Sequence, residues 1–161
     1  MAKKIRSIGV MTTGGDAPGM NAAIRAVVRT GINGGADVFG IDRGFCGLLE
    51  EDIHRLELTS VSGIINRGGT MLHTVRCPGF LKKQNRDRAR QILAKHNIDG
   101  LVIIGGNGSL KAAAVIGEEW KMPVNVVPAS IDNDVPGTDM TIGFDTAVNT
   151  ALDALDKIRD T

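Results

Sequence analysis

The sequence predicts an α/β domain of three layers, in which helices cover both faces of a mostly parallel sheet. Short apolar runs without polar alternation recur along the chain, which is typical of strands buried on both faces. Each run leads into a turn rich in glycine or carboxylate, and segments with the apolar spacing of helices follow. The length of 161 residues predicts a single domain that spans residues 1–161.

Local patterns predict each element in chain order. The apolar run 5–11 is the first strand, and a glycine-rich turn separates it from a helix over 20–33. Ser60 is a candidate N-cap for a short helix. The remaining predicted elements are a strand at 38–41, a short helix at 61–66, a helix at 86–96, a strand at 101–104, a helix after residue 109 that runs through 117, a strand at 124–127 and a helix at 145–159.

Composition excludes several classes of partner. The formal net charge of +1 provides no broad electrostatic attraction to nucleic acid or to an anionic membrane. No apolar run approaches the roughly 20 residues of a membrane span, and the first residues lack a signal-peptide pattern, so we expect a cytoplasmic protein. Cys46 and Cys77, which we expect in separate loops, and the three histidines have no metal-ligand spacing, so reduced thiols and no structural metal are expected.

The predicted ends of three strands supply the candidate chemistry. In parallel sheets, ligands bind outside the carboxyl ends of the strands. The turns at 12–19 and 105–109 bring glycine next to a helix N-terminus, an arrangement that holds phosphate with backbone N–H groups, although tight turns also need glycine. Asp132 and Asp134 follow the strand at 124–127 and provide a candidate base and a candidate group near a metal. An Asp-Asn-Asp triplet is also common in turns. Arg76 is a candidate for stabilising phosphate charge or a solvated surface arginine.

Four motifs together resemble one family. The segments TGGDAPGMN at 13–21, NRGGT at 66–70, GGNGS at 105–109 and IDND at 131–134 are similar, in this order, to the motifs of the ATP-dependent 6-phosphofructokinases. NAD kinases and diacylglycerol kinases share the double-glycine turn, but they lack the IDND segment. The resemblance extends over the whole chain and implies the nucleotide-binding half of a phosphofructokinase, with a Rossmann-like α/β fold.

The resemblance implies a role for each matching residue. Asp132 would be the general base that accepts the proton of the fructose 6-phosphate 1-hydroxyl as it attacks the γ-phosphoryl group of ATP, and Arg76 would offset phosphate charge. Gly108 resembles the ATP-using branch, because pyrophosphate-using relatives have an acidic residue there. The implied ATP contacts are Gly15, Arg76, Cys77, Gly106, Asn107, Gly108 and Ser109, and the implied sugar-phosphate contacts are Ser130, Ile131 and Asp132.

One motif position departs from the family pattern. Asn107 stands where the family normally has the aspartate associated with Mg²⁺, and Mg²⁺ prefers charged oxygen ligands. The departure leaves two hypotheses open. In the first, the chain belongs to an enzyme with a weakened metal site at Asn107. In the second, it is a non-catalytic or regulatory nucleotide-binding subunit.

The resemblance also implies partners outside the nucleotide site. Arg25 and Arg29, one helical turn apart, match positions that bind an allosteric nucleotide or phosphoenolpyruvate, while a solvated basic helix face is the alternative. Relatives form homo-oligomers, so a tetramer is expected. They also have a second α/β domain that supplies the 6-phosphate pocket and is absent from this chain. By itself the chain is therefore expected to be inactive and to bind nucleotide weakly.

Overall fold

A computed structural model describes residues 5–160 of the chain. Residues 1–4 and 161, which the predicted domain includes, lie outside this range. A five-stranded sheet has the order β3-β2-β1-β4-β5, in which β1, β2, β4 and β5 are parallel and β3 is antiparallel to β2. The strands are β1 Ser7–Thr13, β2 Asp37–Ile41, β3 Ile53–Leu56, β4 Gly100–Gly105 and β5 Val124–Pro128.

Helices lie on both faces of this sheet, which confirms the predicted three-layer α/β class. Alternate residues of β1 show the two faces: Met11 packs in one apolar cluster and Val10 in the other, and both are fully buried. The first cluster joins the sheet to α2, α3 and α4, and the second joins it to α1 and the segment 61–72. The helices are α1 Met20–Asn33, α2 Gly44–Glu50, a 3₁₀ helix Pro78–Leu81, α3 Lys83–Lys95, α4 Asn107–Trp120 and α5 Phe144–Arg159.

Several local predictions are wrong. Residues 61–66 form turns rather than a helix. The helix predicted at 86–96 is α3, which begins at Lys83 instead of Arg86. Residues 44–56 contain α2 and the antiparallel strand β3, neither of which was predicted, because a seven-residue helix and a four-residue edge strand show too few repeats of either period. Cys46 consequently lies in a helix and not in a loop.

Helix α5 forms as predicted, but its apolar face does not join the core. No residue of this helix is buried. The side chains of Val148, Leu152, Leu155 and Ile158 are between 41% and 71% exposed. The spacing of apolar residues along a helix predicts which face is apolar, whereas burial of that face depends on another element being present to cover it. Within residues 5–160, no helix has the length and hydrophobicity needed to cross a bilayer.

Candidate functional site

The candidate site lies where β1, β4 and β5 end. Residue pairing puts Thr13 beside Gly105 and Gly105 beside Pro128, so the three strand ends are level at one sheet edge. The chain turns in opposite directions after β1 and β4, which makes this edge the switch point where α/β sheets bind ligands. A cavity of about 660 Å³ opens there, and all three following turns line it. The three turns predicted to share a site therefore line one cavity.

The structure places every residue predicted to contact ATP or the sugar phosphate in the lining of this cavity. The other lining residues include Thr13, Asp16, Phe45, Phe80 and Asp134. Their roles stay predictions, because position alone does not show what a side chain binds. The predicted contacts that line the cavity are Gly15, Arg76, Cys77, Gly106, Asn107, Gly108, Ser109, Ser130, Ile131 and Asp132.

A buried hydroxyl pair holds the two glycine turns together. The Oγ atom of Ser109 lies 2.5 Å from Oγ1 of Thr13, and both residues are almost completely buried. Gly105 permits this contact, because a Cβ atom there would collide with Oγ of Ser109 and would lie 2.5 Å from the carbonyl oxygen of Thr13. The side chain of Ser109 therefore points towards β1, and the residue offers a ligand its backbone N–H at the start of α4 instead of its hydroxyl.

The same turns leave open space for an anion. A Cβ atom at Gly15 or at Gly108 would meet no atom within 4 Å. Helix α4 begins at Asn107, and its N-cap residue is Gly106, which has no side chain to cap the helix. The N–H groups of the first turn therefore receive no side-chain cap. These groups and the positive end of the helix favour a phosphate in the cavity.

The acidic turn after β5 is organised by its own side chains. Ser130 Oγ accepts a hydrogen bond from the backbone N–H of Asp132 at 3.2 Å and donates one to Asp134 at 3.3 Å. Asn133 has a left-handed backbone, and its Oδ1 atom accepts the backbone N–H of Thr141 at 2.9 Å. Asp132 is exposed and lines the cavity, so its carboxylate is accessible to a substrate hydroxyl.

The segment that carries Arg76 crosses the first glycine turn. Thr74 Oγ1 donates to the carbonyl oxygen of Gly14 at 2.7 Å, and Thr12 Oγ1 donates to that of His73 at 2.7 Å. These bonds fix the segment close to the end of β1, with the exposed side chain of Arg76 on the cavity. Asn21 holds the preceding NRGGT segment by donating to the carbonyl oxygens of residues 67 and 68 and accepting from the backbone N–H of residue 71.

Two phenylalanines form one wall of the cavity. The rings of Phe45 and Phe80 stack with centroids 4.0 Å apart and an interplanar angle of 20°. Such a wall suits a flat aromatic base. Sequence reasoning placed no element at Phe80, and the signal that would have found it is Pro78, a residue that often starts a helical turn.

The cavity lining is acidic, which suits a Mg²⁺ ion that is bound partly by the phosphate oxygens of a ligand. Asp16, Asp132 and Asp134 line the cavity, and Arg76 is the one basic residue among the described lining residues. A polyphosphate beside three carboxylates needs a compensating cation. Among residues 5–160, no cluster of three or more histidine, cysteine or acidic residues has the geometry of a metal site. Mg²⁺ fits such a site, because it usually takes one or two protein oxygens and completes its shell with water and phosphate.

The predicted effector residues lie elsewhere. Arg25 and Arg29 project from α1 and do not line the cavity. Arg25 Nη1 donates to the carbonyl oxygen of Val61 at 2.6 Å, and Arg29 is exposed. Their predicted role as an allosteric site remains untested.

Comparison with known proteins decides the family. The phosphofructokinase family model matches residues 7–161. The chain belongs to the phosphofructokinase family. It is 57% identical over 157 residues to an ATP-dependent 6-phosphofructokinase of Caldanaerobacter subterraneus and 55% identical to one of Bacillus cytotoxicus, and these matches cover 98% of the chain. The same matches cover 49% of each relative, so the chain spans about half the length of the curated phosphofructokinases that it matches.

Solved phosphofructokinases share the fold. The phosphofructokinase of Pichia pastoris in the T-state superposes with a TM-score of 0.90 at 35% identity, covering 99% of the chain and 19% of that structure. The phosphofructokinase of Saccharomyces cerevisiae also gives 0.90, at 38% identity, with 96% and 24% covered.

Proposed function

We propose that this chain is the nucleotide-binding domain of an ATP-dependent 6-phosphofructokinase. The enzyme would transfer the γ-phosphoryl group of ATP to the 1-hydroxyl of fructose 6-phosphate. The observation that carries the proposal is the meeting of two phosphate-type glycine turns and the Asp132 turn in one cavity. Similarity to proteins named ATP-dependent 6-phosphofructokinase supports it.

The cavity divides into regions with different chemistry. The stacked pair Phe45 and Phe80 suits the adenine base. The turns at Gly15 and at Gly106–Ser109 present backbone N–H groups to the phosphates. The Ser130–Asp132 turn follows β5 and lies beside the turn at Gly106, and the sugar phosphate would bind there.

Two side chains would act on the reacting groups. The Asp132 carboxylate would accept the proton of the attacking hydroxyl, a step that contributes about 10² to 10⁴ in rate. The Arg76 guanidinium would offset charge that builds on the transferred phosphoryl oxygens. Mg²⁺, when bound, would neutralise phosphate charge, and Asn107 and Asp134, which both line the cavity, would hold it with their side-chain oxygens.

The resemblance also supplies proposals for the whole protein. A second domain would complete the fructose 6-phosphate site, and subunits would assemble as a homotetramer in the cytoplasm. Arg25 and Arg29 would bind an allosteric nucleotide or phosphoenolpyruvate. The exposed apolar face of α5 supports the presence of further contacts in the assembled enzyme.

Asn107 supports one second candidate. A non-catalytic or regulatory phosphofructokinase subunit would keep the fold and bind nucleotide without productive metal binding. An amide at this position supplies an oxygen but no charge, which favours Mg²⁺ less than a carboxylate does. Such a subunit would bind ATP equally well with and without Mg²⁺, whereas the enzyme would bind it more tightly with Mg²⁺.

A coupled assay on the full protein tests the proposed function. Production of fructose 1,6-bisphosphate from ATP and fructose 6-phosphate should fall by about 10² to 10⁴ in the Asp132→Asn variant. Asp139→Asn is the matched control, because Asp139 is exposed in the same loop between β5 and α5 but does not line the cavity. Activity that survives in Asp132→Asn would refute the assigned base, and ATP binding without any activity would favour the regulatory subunit.

A further inference from the structure

Two cysteines meet beside the candidate nucleotide site. Cys46 belongs to α2, and Cys77 precedes the 3₁₀ helix Pro78–Leu81. The thiol of Cys46 donates a weak hydrogen bond to the carbonyl oxygen of Arg76, with Sγ and O 3.9 Å apart. This oxygen belongs to the peptide group that links Arg76 to Cys77, so the Cys46 sulfur lies against the backbone of Cys77. Both residues are free thiols and half-buried, which leaves part of each accessible to a small solute.

Packing between nearby residues keeps the segments of the two cysteines together. Phe45, which precedes Cys46 in α2, stacks at 4.0 Å on Phe80, which lies three residues after Cys77 in the 3₁₀ helix. Burial and the neighbouring thiol of Cys46 together raise the pKa of Cys77 to about 11. The contact of Cys46 with the Arg76–Cys77 peptide makes the two thiols neighbours, and a disulfide of about 2.05 Å requires the two sulfurs to move together.

We infer that Cys46 and Cys77 are a modification site at which a peroxide forms a reversible disulfide, and that this bond displaces Arg76 from its position on the cavity. In the first step, the Cys46 sulfur attacks a peroxide oxygen, the O–O bond breaks, the departing hydroxide leaves as water with the thiol proton, and Cys46 becomes a sulfenic acid. In the second step, the Cys77 sulfur attacks the sulfenic sulfur, and its proton leaves with the hydroxyl group as water. Overall, two thiols and one hydrogen peroxide give one disulfide and two waters. A thiol reductant reverses the change.

The order of these steps follows from the surroundings. Thiolate is the reactive form, and the burial and the neighbouring thiol that raise the pKa of Cys77 disfavour its thiolate as the first attacker. Cys46 therefore meets the peroxide first. Cys77 then reacts efficiently despite its protonation, because the sulfenic sulfur is held beside it and the encounter is intramolecular.

The bond would change the nucleotide site through Arg76. Cys77 itself lines the cavity, and Arg76 is its immediate neighbour. A displacement of about 1 Å at a positioned group costs about a hundredfold in a reaction that depends on it. A shift of the Cys77 sulfur towards α2 also moves the 3₁₀ helix that carries Phe80. The consequence for nucleotide binding rests on the proposed function, while disulfide formation does not.

The test is a peroxide titration of the full protein with three readouts. Mass spectrometry of proteolytic peptides should show Cys46 joined to Cys77, with the loss of two hydrogen atoms. Emission of Trp120, the single tryptophan of the chain, should change, because its ring contacts Phe80 edge-on at 6.3 Å. Affinity for Mg·ATP should fall at least tenfold, and dithiothreitol should restore all three values.

Cys46→Ser is the matched control. Cys46 does not line the cavity, so this variant should bind Mg·ATP like the unmodified protein and should not respond to peroxide. Peroxide treatment that leaves Cys46 and Cys77 unlinked, or oxidises Cys46 only to sulfinic acid, would overturn the modification site. A cross-link that leaves Trp120 emission unchanged would overturn the displacement. A reduced protein that binds no ATP would count against the proposed function alone, because the peptide map and the emission still decide the inference.

Discussion

Replacement of Asn107 by aspartate should change the affinity for ATP in opposite directions with and without Mg²⁺, and this tests the candidate metal site. Asn107 is the first residue of α4 and is half-buried in the cavity wall. The substitution keeps the shape of the side chain and adds one negative charge. That charge should attract Mg²⁺ and repel the phosphates of metal-free ATP.

The position of Asn107 sets the expected magnitudes. A negative charge at a helix N-terminus contributes about 0.3 to 1 kcal/mol, which raises the melting temperature by about 1 to 4 °C in a domain of this size. Unit charges 4 Å apart at an effective dielectric near 20 interact by about 4 kcal/mol. Water around a half-buried side chain and the nearby Asp134 reduce this to about 1 to 3 kcal/mol, which is roughly a ten- to hundredfold gain in Mg·ATP affinity.

Titration calorimetry with Mg·ATP and with ATP in EDTA measures both changes in affinity. Asn107→Asp should bind Mg·ATP more tightly and metal-free ATP more weakly than the unmodified protein. Asn125→Asp is the matched control, because Asn125 is exposed on β5 and does not line the cavity. Equal changes in the two conditions, or a response shared with Asn125→Asp, would refute a metal position at residue 107.

Three further predictions test the site and the packing that supports it. Gly108→Asp should weaken ATP binding at least tenfold while Gly108→Ala does not, and both should fold because a Cβ atom there meets open space; loss of folding in Gly108→Asp would contradict this. Ser109→Ala should cost about 1 to 3 kcal/mol in urea unfolding by leaving the buried Thr13 hydroxyl unpaired, and adding Thr13→Val should recover part of it. Full additivity of the two changes would show that the hydroxyls are not coupled. Arg86 lowers the pKa of Glu119, so this pair stabilises the fold above the ordinary glutamate pKa and loses its effect as pH falls through the lower folded value. The melting temperatures of the unmodified protein and Glu119→Gln should therefore differ near pH 6 and converge as the pH falls through the lowered pKa of Glu119, and a constant gap would disprove the linkage.

The sequence predicted the strand ends that surround the site, but it did not predict the side-chain contacts that form its wall. The turns after the strands at 5–11 and 101–104 were predicted to share one edge, and the observed pairing of Thr13 with Gly105 confirms this. That prediction succeeds because parallel strands must end at the same edge. The Phe45–Phe80 wall and the Cys46–Cys77 contact were not predicted, because each joins residues more than 30 positions apart through a short helix without a clear period.

The sequence by itself determined the α/β class, the order of the main strands and helices, and which turns carry glycine and carboxylate. These features depend on neighbouring residues, through apolar period and turn preference, so they can be read locally. Only the tertiary structure decided that the Ser109 hydroxyl points to β1, that the two thiols meet beside Arg76, and that the apolar face of α5 is exposed. These outcomes depend on which distant elements pack together, and packing is set by the whole chain at once.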